Sequence, residues 1–131
     1  METIKLSLYE KNKETGIFED LLGAYVLEDH VALLDKAYAV DENGLKVHLY
    51  LTVAGEVEDS EYEAIYEQYD GEGFNDMDVT IEEVEDSYNP TWLFIFDFIA
   101  DSDEMGEMID HILEIHNSEL ERILKNIRTT K

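Results

Sequence analysis

An aspartate inside an apolar run is the residue in this chain best suited by type to acid–base chemistry. Asp97 stands between Phe96 and Phe98 in the segment Trp92-Leu93-Phe94-Ile95-Phe96-Asp97-Phe98-Ile99. Burial there would raise its carboxyl pKa and fit it to act as general acid or base, with His48 or His116 as the second group. The plainer reading is a wet strand end, or a carboxylate satisfied by a tyrosine or a backbone donor. His116 falls on the apolar seam of a helical pattern. It could serve as a ligand or proton shuttle, but a hydrogen-bonded core or interface histidine is the commoner fate.

Metal chemistry has weaker material. His111 and His116 are five apart, so they project from different helix faces and cannot form the i, i+4 pair of a zinc site. Glu107, His111 and Glu114 share a face, a cheap coincidence on a helix this rich in glutamate. Oxygen donors crowd two segments. One is Asp101-Ser102-Asp103-Glu104-Met105-Gly106, which begins like a calcium loop but has Met105 at position 5 and Ile112 where a bidentate glutamate belongs. Asp101 or Ser102 is better explained as a helix cap. The other runs from Asp70 to Asp78 and includes Asp76, a loose candidate for weak divalent-cation binding. Tyr62, Tyr66 and Tyr69 share a helical face rimmed by acids. That face is either a recognition surface for a basic partner or a stripe packed on a sheet.

Several chemistries lack their parts. The chain has no cysteine, hence no thiolate nucleophile, thiolate metal site or disulfide framework. It has no nucleophile elbow, Walker loop or dinucleotide fingerprint, and nothing in its pattern calls for a cofactor.

Charge is the strongest compositional signal. Among 131 residues, 33 are acidic and 9 basic, for a formal net of −24. No Lys or Arg occurs between Lys46 and Arg122, while Arg122, Lys125, Arg128 and Lys131 close the chain without an acid among them. Such a field repels nucleic-acid phosphates and anionic lipid and attracts basic proteins. Solubility, or life at high salt, is the bland explanation. The longest apolar run is too short to span a membrane, and the amino-terminal residues do not read as a signal peptide. A cytoplasmic location is the expectation.

These residues need elements to position them. Thr3 to Lys11 alternates as a half-buried strand, and Asn12 to Gly16 is a turn. Ile17 to Leu27 returns as the second strand of a hairpin, with Gly23 a bulge or kink. The segment 31–40 opens ambiguously and ends as a strand, because Asn43-Gly44 is a strong hairpin signal and 45–54 alternates cleanly beyond it. Ser60 and Glu63 suggest a capping box for a helix carrying the tyrosines, ended by Asp70-Gly71-Glu72-Gly73. Val79 and Ile81 begin a polar edge strand. Residues 91–100 are apolar on both parities and read as an inner strand needing cover on both sides. Residues 102–128 form the longest helix, with acids at its start and bases at its end.

The expectation is a single α+β domain over 1–131, with an antiparallel six-stranded sheet in the order ββββ-α-ββ-α and both helices on one face. One side of strand 91–100 would then lack cover, which a homodimer, a partner or sheet curvature could supply.

Three stretches are similar to a family of small acidic proteins of unknown function from clostridia-type bacteria: Tyr38-Ala39-Val40, Glu61-Tyr62-Glu63-Ala64-Ile65 and Tyr88-Asn89-Pro90-Thr91-Trp92-Leu93. The resemblance spans most of the chain and implies a bacterial cytoplasmic setting but no activity. The leading functional expectation is therefore a non-catalytic interaction protein meeting a basic partner. A small-ligand or catalytic module using Asp97 with a histidine is the alternative, and a weak cation binder the third.

Overall fold

In the computed structural model, residues 4–27, 30–84 and 87–129 are described. Thr3 of the first expected strand and Lys131 of the basic tail lie outside them. The elements run β1 (Ile4–Lys11), β2 (Phe18–Leu27), β3 (Leu34–Asp41), β4 (Leu45–Leu51), α1 (Asp59–Gln68), β5 (Thr80–Val84), β6 (Thr91–Asp97) and α2 (Ser102–Thr129). Short 3₁₀ turns at Val31–Leu33 and Gly71–Phe74 precede β3 and β5.

The hairpins form where the sequence places them, for local reasons. The Asn12 side chain accepts from the Glu14 and Thr15 amides, and Gly16 takes φ of 75°. Asn43 and Gly44 both take positive φ, 62° and 118°, the conformation in which asparagine and glycine are least strained. Gly23 is required by packing. A Cβ there would lie 2.5 Å from the Tyr25 hydroxyl, so the missing side chain is the space that buried Tyr25 occupies.

All six strands join one sheet in the order β2-β1-β3-β4-β6-β5. The sheet is mixed rather than antiparallel, because β3 pairs with β1 in parallel, Glu10 opposite Ala39. The chain leaving β2 passes β1 and comes down on its far side. This makes β1 an inner strand and buries Leu8 and Ala39 completely, while β2 stays at the edge with Phe18, Leu21 and Val26 exposed.

One face of the sheet is the core. Val47, Leu49 and Leu51 of β4 and Trp92, Phe94 and Phe96 of β6 are buried there. Tyr66 and Tyr69 of α1 and His116 of α2 all contact the Trp92 ring, so both helices press on this one face. Met105, Ile109, Ile112, Leu113, Leu120 and Ile123 supply the stripe of α2.

Two local expectations are corrected. Helix α1 starts earlier than Ser60 implies: Glu58 is its cap, in a reciprocal capping box with Glu61. The strand expected over 91–100 stops at Asp97, and Phe98 and Ile99 leave the sheet to pack at the rim of the core. No helix among the described residues is long and apolar enough to cross a membrane.

Candidate functional site

The end of β6 decides what Asp97 can do. Its side chain is 65% exposed and paired with Lys46 on β4, the residue directly opposite. The carboxyl is therefore not a buried one. The depression beside it, lined in part by Lys46, Asp78, Thr80 and Ile95, has a volume of 150 Å³. A small-molecule site needs roughly 300 Å³ or more. His116 touches Phe94 on the core face, whereas Asp97 points from the other face, so β6 separates them. His48 does share Asp97's face, but its Nε2 lies 3.0 Å from Glu42 Oε1.

His116 is fully buried, and its two ring nitrogens have different partners. Nε2 lies 3.0 Å from the Thr52 carbonyl, an acceptor only, so Nε2 carries the proton. Nδ1 then accepts from the Tyr69 hydroxyl at 2.7 Å. This is a satisfied neutral imidazole tying α2 to α1 and to the end of β4. Burial lowers its pKa to about 4, with the Thr52 bond opposing the shift. The same burial, with Glu119 adding to it, raises the Tyr69 phenol well above its usual value.

The tyrosine face of α1 is turned inward. Tyr62 donates to the Ser87 carbonyl at 2.8 Å. Tyr66 donates to the Val84 carbonyl at 2.9 Å and accepts from the Thr91 amide at the same distance. Tyr69 stacks on Trp92 with ring centroids 4.3 Å apart. The Tyr66 and Tyr69 rings pack on Trp92, Tyr62 leans on Tyr66, and the hydroxyls of Tyr62 and Tyr66 hold the segment between β5 and β6. Trp92 itself is 1% exposed, and its indole N–H has no oxygen or nitrogen acceptor among the described residues.

The acidic segments have structural work of their own. Asp70 accepts from the Glu72 amide at the 3₁₀ turn, and Asp101 accepts from the Asp103 and Glu104 amides at the start of α2. Asp76, Asp78 and Asp103 are exposed. No group of three His, Cys, Asp or Glu side chains among the described residues is placed to hold a metal ion.

Against this background a whole-chain comparison is informative. A family model described as "Family of unknown function (DUF6762)" matches residues 1–131. The chain belongs to DUF6762. No curated protein and no solved structure matches it. For this DUF6762 chain, geometry alone must point to the working surface.

Two features of that geometry were missed by the sequence reading. The first is Glu61, a carboxylate only 7% exposed, gripped by Arg128 near the end of α2 at 2.8 Å. That pair raises the Arg128 pKa and ties the last turn of α2 to the first turn of α1. The second is the composition of the sheet face that carries no helix, a face whose want of cover the sequence implies. Register places Lys11, Val40, Lys46 and Asp97 in one row across β1, β3, β4 and β6. The next row is Tyr9, Tyr38, His48 and Ile95, and the third is Ser7, Lys36, Tyr50 and Leu93. Ring contacts run Tyr9–Phe18–Tyr38–His48, with Tyr50 joined through a 3.0 Å hydroxyl pair to Tyr38. Lys11 lies over the Tyr38 ring at 4.6 Å and Lys36 over Tyr50 at 4.7 Å. The signal was present in the strand parity: Lys11 and Lys36 fall on the side away from the core together with Tyr9, Tyr38 and Tyr50.

Proposed function

We propose that this chain is a non-catalytic interaction module that meets a basic protein partner through its acidic side. The observation that carries the reading is the segregation of charge. Glu63 and Glu67 of α1, Glu82 and Glu83 of β5, and Glu107 and Glu114 of α2 are all exposed. They lie within the stretch 47–121, which contains no Lys or Arg, and the arginines of α2 that reach α1 are engaged by Glu119 and Glu61. Lys5, Lys11, Lys36 and Lys46 lie away from β5, on β1, β3 and the start of β4. A field of this shape steers and orients a basic partner, and its effect falls with ionic strength.

The test compares the wild-type chain with a variant carrying Glu63→Gln, Glu67→Gln, Glu82→Gln and Glu83→Gln, each immobilised and challenged with lysate at low and high salt. A basic protein retained at low salt, released at high salt and lost by the variant supports the proposal. Absence of any such protein counts against it.

A further inference from the structure

The helix-free face of the sheet is partly apolar, and its residues form a pattern that matches itself. We propose that this face docks a second copy of the chain, face to face, about a two-fold axis parallel to the strands. This rests on the open face alone and stands apart from the acidic side just described.

The axis follows from the rows. A two-fold along the strands reverses strand order and keeps each row at its own level. Lys11 then lies over Asp97 of the second copy, Tyr9 over Ile95, Tyr38 over His48, and Lys36 over Tyr50, while Val40 meets the stem of Lys46 and Ser7 meets Leu93. Each copy thus brings Lys11 of β1 to Asp97 of the other's β6. Apolar and aromatic groups meet in the middle. The alternative two-fold, across the strands, exchanges the outer rows. It sets Asp97 on Leu93 at a cost and brings no opposite charges together across the interface, whereas the first two-fold brings Lys11 to Asp97. Aligned sheets stack at about 30° to one another. For strands about 7 Å from the axis that rotation is a shift of about 4 Å, within the reach of a lysine side chain.

Area and exposure point the same way. Six strands spaced about 4.8 Å apart, with about seven residues each at about 3.3 Å, present roughly 650 Å² per copy. Two such faces bury about 1,300 Å², inside the range of specific stable interfaces. Tyr9 is 40% exposed, Phe18 55% and Leu21 56%, on a long edge hairpin where soluble monomers usually place charge. Leu93 and Ile95 remain half-buried on β6, with no helix over them.

Analytical ultracentrifugation of the full chain, from about 1 μM to 1 mM, tests the proposal. It should run in about 0.15 M salt, where the Debye length is about 8 Å and the mutual repulsion of two acidic copies is screened. The expected result is a concentration-dependent species of twice the chain mass. Lys11→Glu and Asp97→Lys, each alone, should weaken the dimer by about tenfold or more, and the two together should restore it. Phe18→Ser, at an exposed site, should also weaken it while circular dichroism stays unchanged. A monomer throughout the range overturns the proposal. A dimer indifferent to these single changes overturns the choice of face. Weakening by both charge changes without restoration overturns the axis.

Discussion

Trp92 and Leu93 are neighbours in the chain, yet they stand on opposite faces of β6 in surroundings that differ in kind. Trp92 is 1% exposed beneath two helices, within reach of the rings of Tyr66, Tyr69 and His116. Leu93 sits on the face where, among the described residues, no helix lies and where Lys11 and Lys36 reach over tyrosine rings. On the helix side, polar groups are few and are held by specific partners, as His116 is by Thr52 and Tyr69. On the open side they are numerous and partly exposed, Lys46 at 35% and Asp97 at 65%. The first arrangement fixes one fold. The second costs the fold little and leaves a surface able to take a partner.

The sharpest way to break that comparison is to shorten both residues. Trp92→Ala should cost about 3–5 kcal/mol, because it opens a large cavity between helices and sheet. Leu93→Ala should cost about 1 kcal/mol, the transfer term of a half-exposed aliphatic group. Denaturant unfolding of the two variants measures both. Equal costs would mean that the open face is as structurally committed as the covered one.

The next effect belongs to His116. Its pKa is about 4 in the fold against 6.5 for the free group, so the unfolded chain takes up the proton first as pH falls. Stability from this source is complete above about pH 6.5 and is lost progressively down to about pH 4, amounting to about 3 kcal/mol. The many carboxylates titrate over part of the same window, so the measurement is a difference. Stability of the wild type minus that of His116→Gln should fall between pH 6.5 and 4 and be level above. A difference that is flat throughout would mean that the imidazole is not held neutral. A smaller effect comes from Gly23→Ala on the same side of the sheet. It should cost about 1–2 kcal/mol, because the Tyr25 ring must move off its seat, and a thermal melt reads it directly.

These contrasts also mark what the sequence could and could not reveal. The alternation of Leu45 to Leu51, the Asn43-Gly44 turn and the long stripe of α2 were legible because each is set by residues close together in the chain. The partnership of β1 with β3 was not, since it depends on where the chain goes after Leu27, and no local pattern encodes that path. The cap of α1 was misplaced by two residues because Glu58, Ser60, Glu61 and Glu63 offer competing combinations of the same chemistry. The make-up of the open face was missed for another reason. Tyr9 and Tyr50 fall on the polar parity of their strands, although most of each side chain is a ring. Lys11, Lys36 and Lys46 converge only once strand order is known. Phe96 and Phe98 leave burial of Asp97 open beside the plainer wet strand end, and only the strand's stop at Asp97, with its side chain 65% exposed, decides between them.

The smallest effect on stability is the one that separates the two faces most cleanly. Asp97→Asn removes a carboxylate from an exposed ion pair, an interaction in which solvent screening and side-chain entropy cancel most of the attraction. The melting midpoint of the monomer should therefore not move measurably. The same change deletes the group that Lys11 of a second copy would meet, so a dimer built on this face should weaken. A residue serving the fold would show the reverse: a lower melting midpoint and an association constant that follows only the fraction folded. Measuring both quantities on Asp97→Asn thus asks whether the open face serves the chain that carries it or the chain that comes to it.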